Sequence, residues 1–484
     1  MGPGSLRISY RCSDGNYNVE CPSGGTHLGH AIVSIEENNP PNMTAINNTL
    51  TGCGLPSINP TIVNDPQNPP GPSPDNNGEP DLDLVVLGAA LPKNASLALV
   101  NTGGDIFDAL QLAAQQCGVI LSNDPAPGTT SSSASRGPNF PSGGCIISVS
   151  YGSPEQFDST MVGGQNVLVS NSQEASDLLA DLADLGVIVV VAAGDTGSGG
   201  CLSTGQSTAT GLTPTYPASD PSALAVGGTQ WATSANGPYQ PGVNYTPIVW
   251  KSANAGASSR CSNFQVNGQP ASPGAGGGGI SSVFPAISAQ ESITAQAYPT
   301  FPRNRMVPDV AALAGTPGYA MFMTNPQTGQ LGWSVDAGTS AAAPSVAAGI
   351  ANINAILSAR GLGPISNGGG TLDVHTVMYS PAYQSSLTDI TIGDNSLFGL
   401  TMNGIVGWSA MTGFDMTSGM GVPNFGVLAN ALVGSSGRSA ALAPLSSHQT
   451  SSVQLLGGGV RLDTSAPSTP AQLLPVQSPK ANAA

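Results

Sequence analysis

Short apolar runs alternate with polar, turn-rich stretches along the chain, and segments with helical spacing fall between the runs. The run VIVVVAA at 187–193 is too rich in β-branched residues for a good helix and short enough for a buried parallel strand. Helices are predicted at 105–117 and near 171–185. Strands are predicted at 30–36, 96–100, 145–151, 187–193 and 223–228.

The clearest helix begins at the loop GTS (338–340) and runs to about Arg360. Pro344 falls in its first turn, where a missing N–H is tolerated, and Gly361 is a suitable C-terminal cap. The repeated order of strand then helix predicts an α/β fold, with a doubly wound, mostly parallel sheet flanked by helices. In such a sheet the ligand site lies outside the carboxyl ends of the strands.

One large domain is predicted at 29–434, with long loops. Residues 1–28 form an irregular N-terminal segment, and 435–484, rich in Ser, Ala, Pro and Gln, form a low-complexity tail that we expect to be disordered. Within the domain, the polar, Pro-rich stretch 37–78 is predicted to be a long surface excursion, and 230–335 to be mostly loop.

Charge is scarce along the chain and mostly negative. Charged residues are 8% of the 484, against about 25% in typical domains, and the net charge is −16. This balance excludes partners that need a basic patch, so no nucleic acid is expected. No membrane partner is expected either, because no run of 18 apolar residues occurs and the N-terminus lacks the apolar core of a signal peptide. A fold with few ion pairs suits acid, where carboxylates lose their charge.

The seven cysteines contain no CxxC pair, which disfavours a zinc or thioredoxin-like site. Some of them are expected to pair as disulfides if the chain is exported.

Ser340 is the candidate nucleophile. It opens a helix of small residues, so its hydroxyl can stand exposed where the backbone N–H groups and the helix dipole favour a developing oxyanion. Taken alone, a serine before a helix is usually only an N-cap.

The chain offers few histidines as a base for such a serine. His27 and His30 lie in GTHLGH without an apolar strand leading to an aspartate, and they are predicted to be structural or solvated. Carboxyls are the alternative. An amphipathic helix is predicted from Glu79 to about Ala90, and on it Glu79 and Asp83, four residues apart, share one face. Two such carboxyls can hold one proton between them, which keeps one of them basic in acid.

A structural role for Glu79 and Asp83 also remains open. Acidic residues in a first helical turn usually complement the helix dipole. Asp81 points to another face and is predicted to be a bystander. Asp195, at the carboxyl end of the most apolar strand, adds a carboxyl that can donate a hydrogen bond to an oxyanion only while it is protonated.

These motifs resemble those of the sedolisin family of serine-carboxyl peptidases, which are kumamolisin-like and have a subtilisin-like fold. The resemblance follows their order over roughly residues 29–434. It is carried by GEPDLDLVVLGAALPKNA (78–95), CIISVSYGSPE (145–155), VVVAAGDTGSGG (189–200), TYPASDPSALAVGGT (215–229), GGGGISSVF (276–284), RMVPDVAALAGTPGY (305–319) and GTSAAAP (338–344).

The resemblance implies a chemistry for each catalytic position. Ser340 would be the nucleophile, Glu79 its base, Asp83 the residue that orients Glu79, and Asp195 the oxyanion-hole acid. Protein or peptide substrates would be cut in acid through an acyl-enzyme, as an endopeptidase or by tripeptidyl-peptidase action. The resemblance also implies a monomer in an extracellular or other acidic compartment.

One structural Ca²⁺ is also implied, by TDITIGDN (388–395) and AMTGFDMTSGMGVP (410–423). Matched to the family, Asp389 and Asp415 would bind it through side chains, and Ile390, Met411 and Gly413 through main-chain oxygens. Met411 stands where the family usually has Gly. An all-oxygen cage suits this hard cation.

Two rivals remain. GDTGS (194–198) and VDAGTS (335–340) imitate the two Asp loops of a pepsin-like aspartic peptidase, although Ala337 replaces the expected Thr or Ser. The second rival is an inactive sedolisin-like binding protein, since folds outlive their chemistry.

Overall fold

A computed structural model describes the chain over residues 31–37, 40–70, 78–92, 95–121, 134–199, 211–232, 246–252, 265–266, 269–270, 274–324, 331–368, 372–397 and 401–440. The chain divides into two units, Met1–Val433 and Gly434–Ala484, and the sheet described below lies in the first. Predictions for 1–28, for His27 and His30, and for 441–484 lie outside the described residues.

The helices confirm the predictions at 105–117, 171–185 and 338–360 to within a few residues. In chain order they are α1 Met43–Gly52, α2 Glu79–Ala90, α3 Ile106–Gln116, α4 Ser170–Asp184, α5 Ser288–Ala297, α6 Thr339–Ala359, α7 Val374–Tyr379 and α8 Phe425–Ala440, with 3-10 turns at Gly197–Gly199 and Pro381–Ser386. Residues 435–440 of the predicted tail therefore belong to a helix.

The strands are numbered along the chain, and eight of them form the main sheet. These eight are β1 Ala31–Glu37, β2 Thr61–Asn64, β3 Ser96–Thr102, β6 Cys145–Val149, β10 Ile188–Ala192, β12 Ala223–Trp231, β13 Pro247–Val249 and β18 Val310–Leu313. Their order is β13-β12-β10-β6-β1-β3-β2, and β18 also pairs with β12. Every pair is parallel except β12–β13, so the predicted doubly wound, mostly parallel sheet is confirmed.

Seven short two-stranded sheets occur in the described residues beside this main sheet. Their strands are β4 Val119–Leu121, β5 Ala134–Arg136, β7 Ser153–Pro154, β8 Ser159–Val162, β9 Gln165–Leu168, β11 Thr215–Tyr216, β14 Gln265–Val266, β15 Gln269–Pro270, β16 Gly279–Pro285, β17 Asn304–Val307, β19 Tyr319–Thr324, β20 Leu331–Asp336, β21 Leu387–Thr388 and β22 Val422–Pro423.

Both faces of the sheet are buried, as the unbroken apolar run of β10 predicts. Ile188 and Val190 pack on one face with α6 and α8, whereas Val189 and Val191 pack on the other face with α3 and α4. Side chains alternate between faces along a strand, so a continuous Ile/Val run serves two cores at once. This sandwich fixes the carboxyl ends of β6 and β10.

Two stretches predicted to be a surface excursion and mostly loop also contain regular elements. The stretch 37–78 contains α1 and β2, and 230–335 contains α5 together with β13 and β14–β20. The apolar pattern of α1 is weak, because its buried residues Ile46 and Leu50 stand among polar neighbours in the sequence. Asn42 caps the first turn by accepting a hydrogen bond of 3.1 Å from Ala45 N. The high Gly and Pro content of both stretches concealed elements that tertiary packing stabilises.

Helix α2 exists as predicted, but it is not amphipathic. Its residues from Pro80 to Leu87 are buried, because α1 and the β19–β20 hairpin pack over the face expected to meet solvent. Asp81, predicted to be a bystander, is itself buried and accepts a hydrogen bond of 2.7 Å from Asn42 N. The helix that carries Glu79 is therefore buried along most of its length.

A disulfide joins Cys117, just after α3, to Cys145, the first residue of β6, across 28 residues. The expectation that some cysteines pair is confirmed for these two. Both side chains are buried in the core beneath α3 and α4.

One described helix, α6, is long and apolar enough to cross a membrane by length and composition. It lies in the middle of the protein core, and 83% of its most apolar window is buried.

Stability is expected to fall as the pH rises from about 4 to 7.5. Burial raises the pKa of Asp220 to about 6, against opposing hydrogen bonds from Ser176 and Ser222. A folded-state pKa above the unfolded value gives a contribution that is complete below about pH 4 and is lost as the pH rises through 6, here about 2–3 kcal/mol. The pH dependence of the melting temperature should therefore flatten in Asp220→Asn.

The matched control is Asp184→Asn, which removes an exposed carboxylate at the end of α4. Parallel melting curves for the wild type and Asp220→Asn across this pH range would refute the effect.

Candidate functional site

Ser340 lies in the first turn of α6, at the carboxyl edge of the sheet. The chain reaches it through Gly338, whose φ of +150° suits only glycine, and a Cβ there would lie 2.7 Å from Asp195 Oδ2. Ser340 is 8% exposed, and its Oγ donates to the main-chain oxygen of Ser150 at 3.3 Å. The hydroxyl therefore stands beside both β6 and the loop after β10.

Asp195 follows β10 and caps α6 from outside the helix. Its Oδ1 accepts hydrogen bonds from Thr339 N at 2.7 Å and from Thr339 Oγ1 at 2.6 Å. Burial raises the pKa of Asp195, and the Thr339 hydrogen bonds oppose this rise. Oδ2 faces Gly338, so the second oxygen lies along the approach to Ser340.

Glu79 is the first residue of α2. Gly78 precedes it with φ +76° and provides no side-chain cap, and a Cβ there would meet Met323 Cε at 2.9 Å. Burial first, and then the charge of Asp83, raise the pKa of Glu79 well above its ordinary range, while a hydrogen bond with Ser340 lowers it. Glu79 Oε1 is buried without a hydrogen-bond partner among the described residues. A carboxyl in these surroundings binds a proton readily.

Asp83, one turn further along α2, is fully buried. Its Oδ2 accepts a hydrogen bond from Ser150 Oγ at 2.8 Å, and the same Oγ lies 3.3 Å from the main-chain oxygen of Ser340. Ser150, just beyond β6, thus connects the acid pair to the helix that carries Ser340. The four predicted residues come from three segments that are distant in sequence, and they meet at one edge of the sheet.

Two residues of this site were missed by the sequence analysis. Ser150 lies within CIISVSYGSPE, but nothing in its spacing shows that its hydroxyl bridges Asp83 and Ser340. Asp336 ends β20 and lies close enough to Glu79 to raise the pKa of its carboxyl. The only available signal for Asp336 was the VDAGTS string, which suggested a different class of enzyme.

The described part of the chain contains one histidine, His375. It is buried, and its Nε2 lies 3.0 Å from the main-chain oxygen of Ala223, the first residue of β12. That is the amino end of the strand, whereas Ser340 lies at the carboxyl edge. Among the described residues, therefore, no histidine lies beside Ser340, whereas the carboxyl of Glu79 does.

The two predicted calcium loops are in contact. Asp389 Oδ2 of the first loop accepts a hydrogen bond from Gly413 N of the second at 2.9 Å. Within the second loop, Asp415 Oδ2 accepts a hydrogen bond from Met411 N at 3.0 Å. Asp415 Oδ1 is held by Thr417 and Ser418, which supports the carboxylate from behind. No cluster of three His, Cys, Asp or Glu side chains suited to a metal occurs in the described residues, so main-chain oxygens would have to complete any cation site here.

The chain is similar in sequence to known peptidases. A sequence model of the subtilase family matches residues 95–360. A probable tripeptidyl-peptidase of Trichophyton verrucosum is 29% identical over 299 residues, which are 59% of this chain and 41% of that protein. Kumamolisin of a Bacillus species is 28% identical over 411 residues, which are 83% of this chain and 60% of kumamolisin. The chain thus spans about two fifths to three fifths of the length of these curated relatives.

Among solved structures, Pseudomonas sedolisin, a serine-carboxyl proteinase in complex with two molecules of pseudo-iodotyrostatin, has the same fold. The TM-score is 0.59 at 21% identity, with 90% of this chain and 98% of that chain covered. The predicted subtilisin-like fold is confirmed. A pepsin-like enzyme is excluded, because its two lobes are all-β and the main sheet here is parallel and flanked by helices.

Proposed function

The chain belongs to the subtilase family, and from this we propose that it is a serine-carboxyl peptidase that hydrolyses peptide bonds in acid. The observation that carries the proposal is the convergence of Ser340 with Glu79, Asp83 and Asp195 at one sheet edge, where a subtilisin would place a histidine. Because the chain covers only part of its curated relatives, their tripeptidyl-peptidase names make that mode of cleavage a proposal for this chain too.

In the proposed reaction, Ser340 Oγ attacks the scissile carbonyl carbon while Glu79 accepts the hydroxyl proton. Glu79, oriented by Asp83, then passes that proton to the leaving nitrogen as the C–N bond breaks. An ester between Ser340 and the acyl half of the substrate remains. Water attacks this ester with Glu79 as base, and the proton returns to Ser340 Oγ. The lowering of the Glu79 pKa by the Ser340 hydroxyl supports this assignment, because it requires the two side chains to be close together.

Asp195 and the backbone N–H of Ser340 would bind the oxyanion of the tetrahedral intermediate. A carboxyl donates only when it is protonated, and the raised pKa of Asp195 extends its protonated range upward. Its Oδ1 accepts from Thr339, which leaves Oδ2 as the oxygen to carry the proton. This requirement links the peptidase to acid.

The direct test is digestion of a denatured protein between pH 3 and 8, with the products mapped by mass spectrometry. Cleavage is expected at acid pH only, and a peptide aldehyde should block it by reversible attachment to Ser340 Oγ. Internal cuts would show endopeptidase action, whereas a ladder of tripeptides would show tripeptidyl-peptidase action. Absence of cleavage throughout this range would leave the inactive binding protein as the better description.

Substrates are proposed to be proteins or peptides, and the chain is proposed to act as a monomer in an extracellular or other acidic compartment. The few ion pairs and the raised pKa values of several buried aspartates support an acidic setting.

We also propose one structural calcium ion, held by Asp389 and Asp415 through carboxylates and by Ile390, Met411 and Gly413 through main-chain oxygens. The donor set fits this hard cation, because all five ligands are oxygens on two loops that already contact each other. Gly413 has φ +83°, a conformation that lets its carbonyl turn where other residues would be strained. The ion would join the loops and take no part in the bond cleavage.

Chelation is expected to lower the melting temperature by about 5 °C, as a ligand well above its dissociation constant stabilises the folded state by a few kcal/mol. Differential scanning calorimetry with EDTA and with added Ca²⁺ measures the change. Asp389→Asn should melt at the chelated temperature and ignore EDTA, whereas Asp184→Asn should respond like the wild type. A wild-type melting temperature that EDTA leaves unchanged would count against the site.

A further inference from the structure

Asp336, the last residue of β20, lies close in space to the first turn of α2, the helix that carries Glu79. Its Oδ1 accepts a hydrogen bond of 2.8 Å from Ala337 N, and its Oδ2 lies 3.9 Å from the position that a Cβ on Gly78 would take. Gly78 is the N-cap of α2 and has no side chain to pair with the first backbone N–H groups. The carboxyl of Asp336 therefore faces the positive end of α2 from the end of strand β20.

The same carboxyl interacts with two other acids of the site, Glu79 and Asp195. Asp336 precedes Ser340 by four residues, and Asp195 contacts the intervening Gly338 and Thr339. Burial, and then Asp83, Asp195 and Asp336, all raise the pKa of Glu79. Burial and the charge of Asp195 likewise raise the pKa of Asp336 itself. A negative charge at Asp336 thus acts on the carboxyls of both Glu79 and Asp195.

We propose that Asp336 is a positioning residue: its negative charge sets the pH interval in which Glu79 and Asp83 share one proton and Asp195 keeps its own. This inference rests on the proposed peptidase function. Asp336 makes no contact with the reacting atoms. It acts through the carboxyls that do, by making the loss of each proton more costly.

Within the described ranges, the titratable groups that face Asp336 are acids or a neutral phenol. Helix α2 contributes Glu79 and Asp83, and the loop after β10 contributes Asp195. On β19, the Tyr319 hydroxyl donates to the main-chain oxygen of Leu313, and burial raises its pKa, so it stays neutral. Helix α1 carries no titratable side chain. None of the ion pairs in the described part of the chain involves Glu79, Asp195 or Asp336.

The test is the pH profile of kcat/KM for Asp336→Asn, which removes the charge and keeps an acceptor for Ala337 N. Without that charge Glu79 and Asp195 release their protons more easily, so both limbs of the profile should move to lower pH. The alkaline limb should move by about 0.5–1 pH unit, and the acid limb by less, since Asp336 itself is protonated there. The maximal kcat should stay within about threefold of the wild type.

Two further variants sharpen the comparison. Asp336→Glu keeps the charge and should restore the wild-type profile, and Asp184→Asn removes a remote exposed charge and should leave the profile in place. If Asp336→Asn does not fold, Asp336→Ser, which also offers an acceptor to Ala337 N, replaces it. An unmoved profile in a folded variant, or a loss of kcat at every pH without any shift, overturns the inference.

Failure of the inference and failure of the proposed function give different results. If the wild type cleaves and only the shift is missing, Asp336 alone is misassigned. If the wild type cleaves nothing, the peptidase proposal fails, and infrared titration of the carboxyl band in wild type and Asp336→Asn decides the inference. A lower midpoint for the buried carboxyls of the variant supports it, and equal midpoints overturn it.

Discussion

Ser340→Ala is expected to lower kcat by about 10⁴- to 10⁶-fold at the proposed acid optimum, because in the proposed mechanism it removes the atom that forms the acyl-enzyme. Glu79→Gln should cost about as much, since an amide cannot accept the proton of Ser340 Oγ. The two losses should not add: the double variant should be little worse than either single one, because nucleophile and base act in one step. Single-turnover kinetics on a chromogenic peptide measure all three.

Ser345→Ala is the matched control for this series. Ser345 lies on the same helix, is buried, and donates to the main-chain oxygen of Ala341 at 2.6 Å, away from Glu79 and Asp195. It should retain kcat within about twofold while showing whether a Ser-to-Ala change in α6 disturbs the fold. Full activity in Ser340→Ala would end the serine-peptidase assignment.

Arg305→Met is expected to destabilise the protein by about 3–5 kcal/mol, or to prevent folding. Arg305 and Asp309 are both fully buried and form a two-pronged ion pair, with Nη1 and Nη2 each 2.6 Å from a carboxylate oxygen. Burial alone would raise the pKa of Asp309, but the charge and hydrogen bonds of Arg305 outweigh it, and the pKa is lowered. Without the guanidinium, the buried carboxylate of Asp309 loses its charged partner. The same carboxylate also accepts hydrogen bonds from Ala225 N and from the Tyr379 hydroxyl.

The exposed pair of Lys251 and Asp394 provides the contrast. Its atoms are also 2.6 Å apart, but the side chains are 27% and 40% exposed, so Lys251→Met should cost no more than about 1 kcal/mol. Urea unfolding of both variants at pH 5 measures the difference. The prediction is wrong if the two substitutions cost the same. Because the folded pKa of Asp309 is lowered, the stability that it contributes is kept at pH 5 and lost only in stronger acid.

Elements with strong local signals could be predicted from the sequence. The helix that contains Ser340 is long, is built of small residues and is followed by Gly361, so its sequence predicts it well. The Val- and Ile-rich run at 187–193 likewise predicts strand β10. The mostly parallel class of the sheet followed from the alternation of strands and helices, whereas the order of its strands did not. Helix α1 could not be predicted, because its Asn- and Thr-rich sequence forms a helix only when Ile46 and Leu50 are covered by α2 and β19.

The same distinction applies to the site. Glu79, Asp83 and Ser340 stand in recognisable local motifs, so their type and spacing were informative. Ser150 and Asp336 matter through where tertiary structure brings them, since Ser150 Oγ meets Asp83 across 67 residues of sequence. Their roles depend on distances in space that a single sequence does not encode.

The hydrogen bond between Ser340 Oγ and the main chain of Ser150 spans 190 residues, and the strands that frame it pair in an order far from their order along the chain. Contacts of such long range form late, since the chain must first lose the entropy of large loops. In the proposed peptidase, Ser340 and its carboxyls would therefore come together only near the end of folding. A partly folded chain would hold these groups apart, so the proposed proteolysis would begin only once the domain itself is no longer an easy substrate.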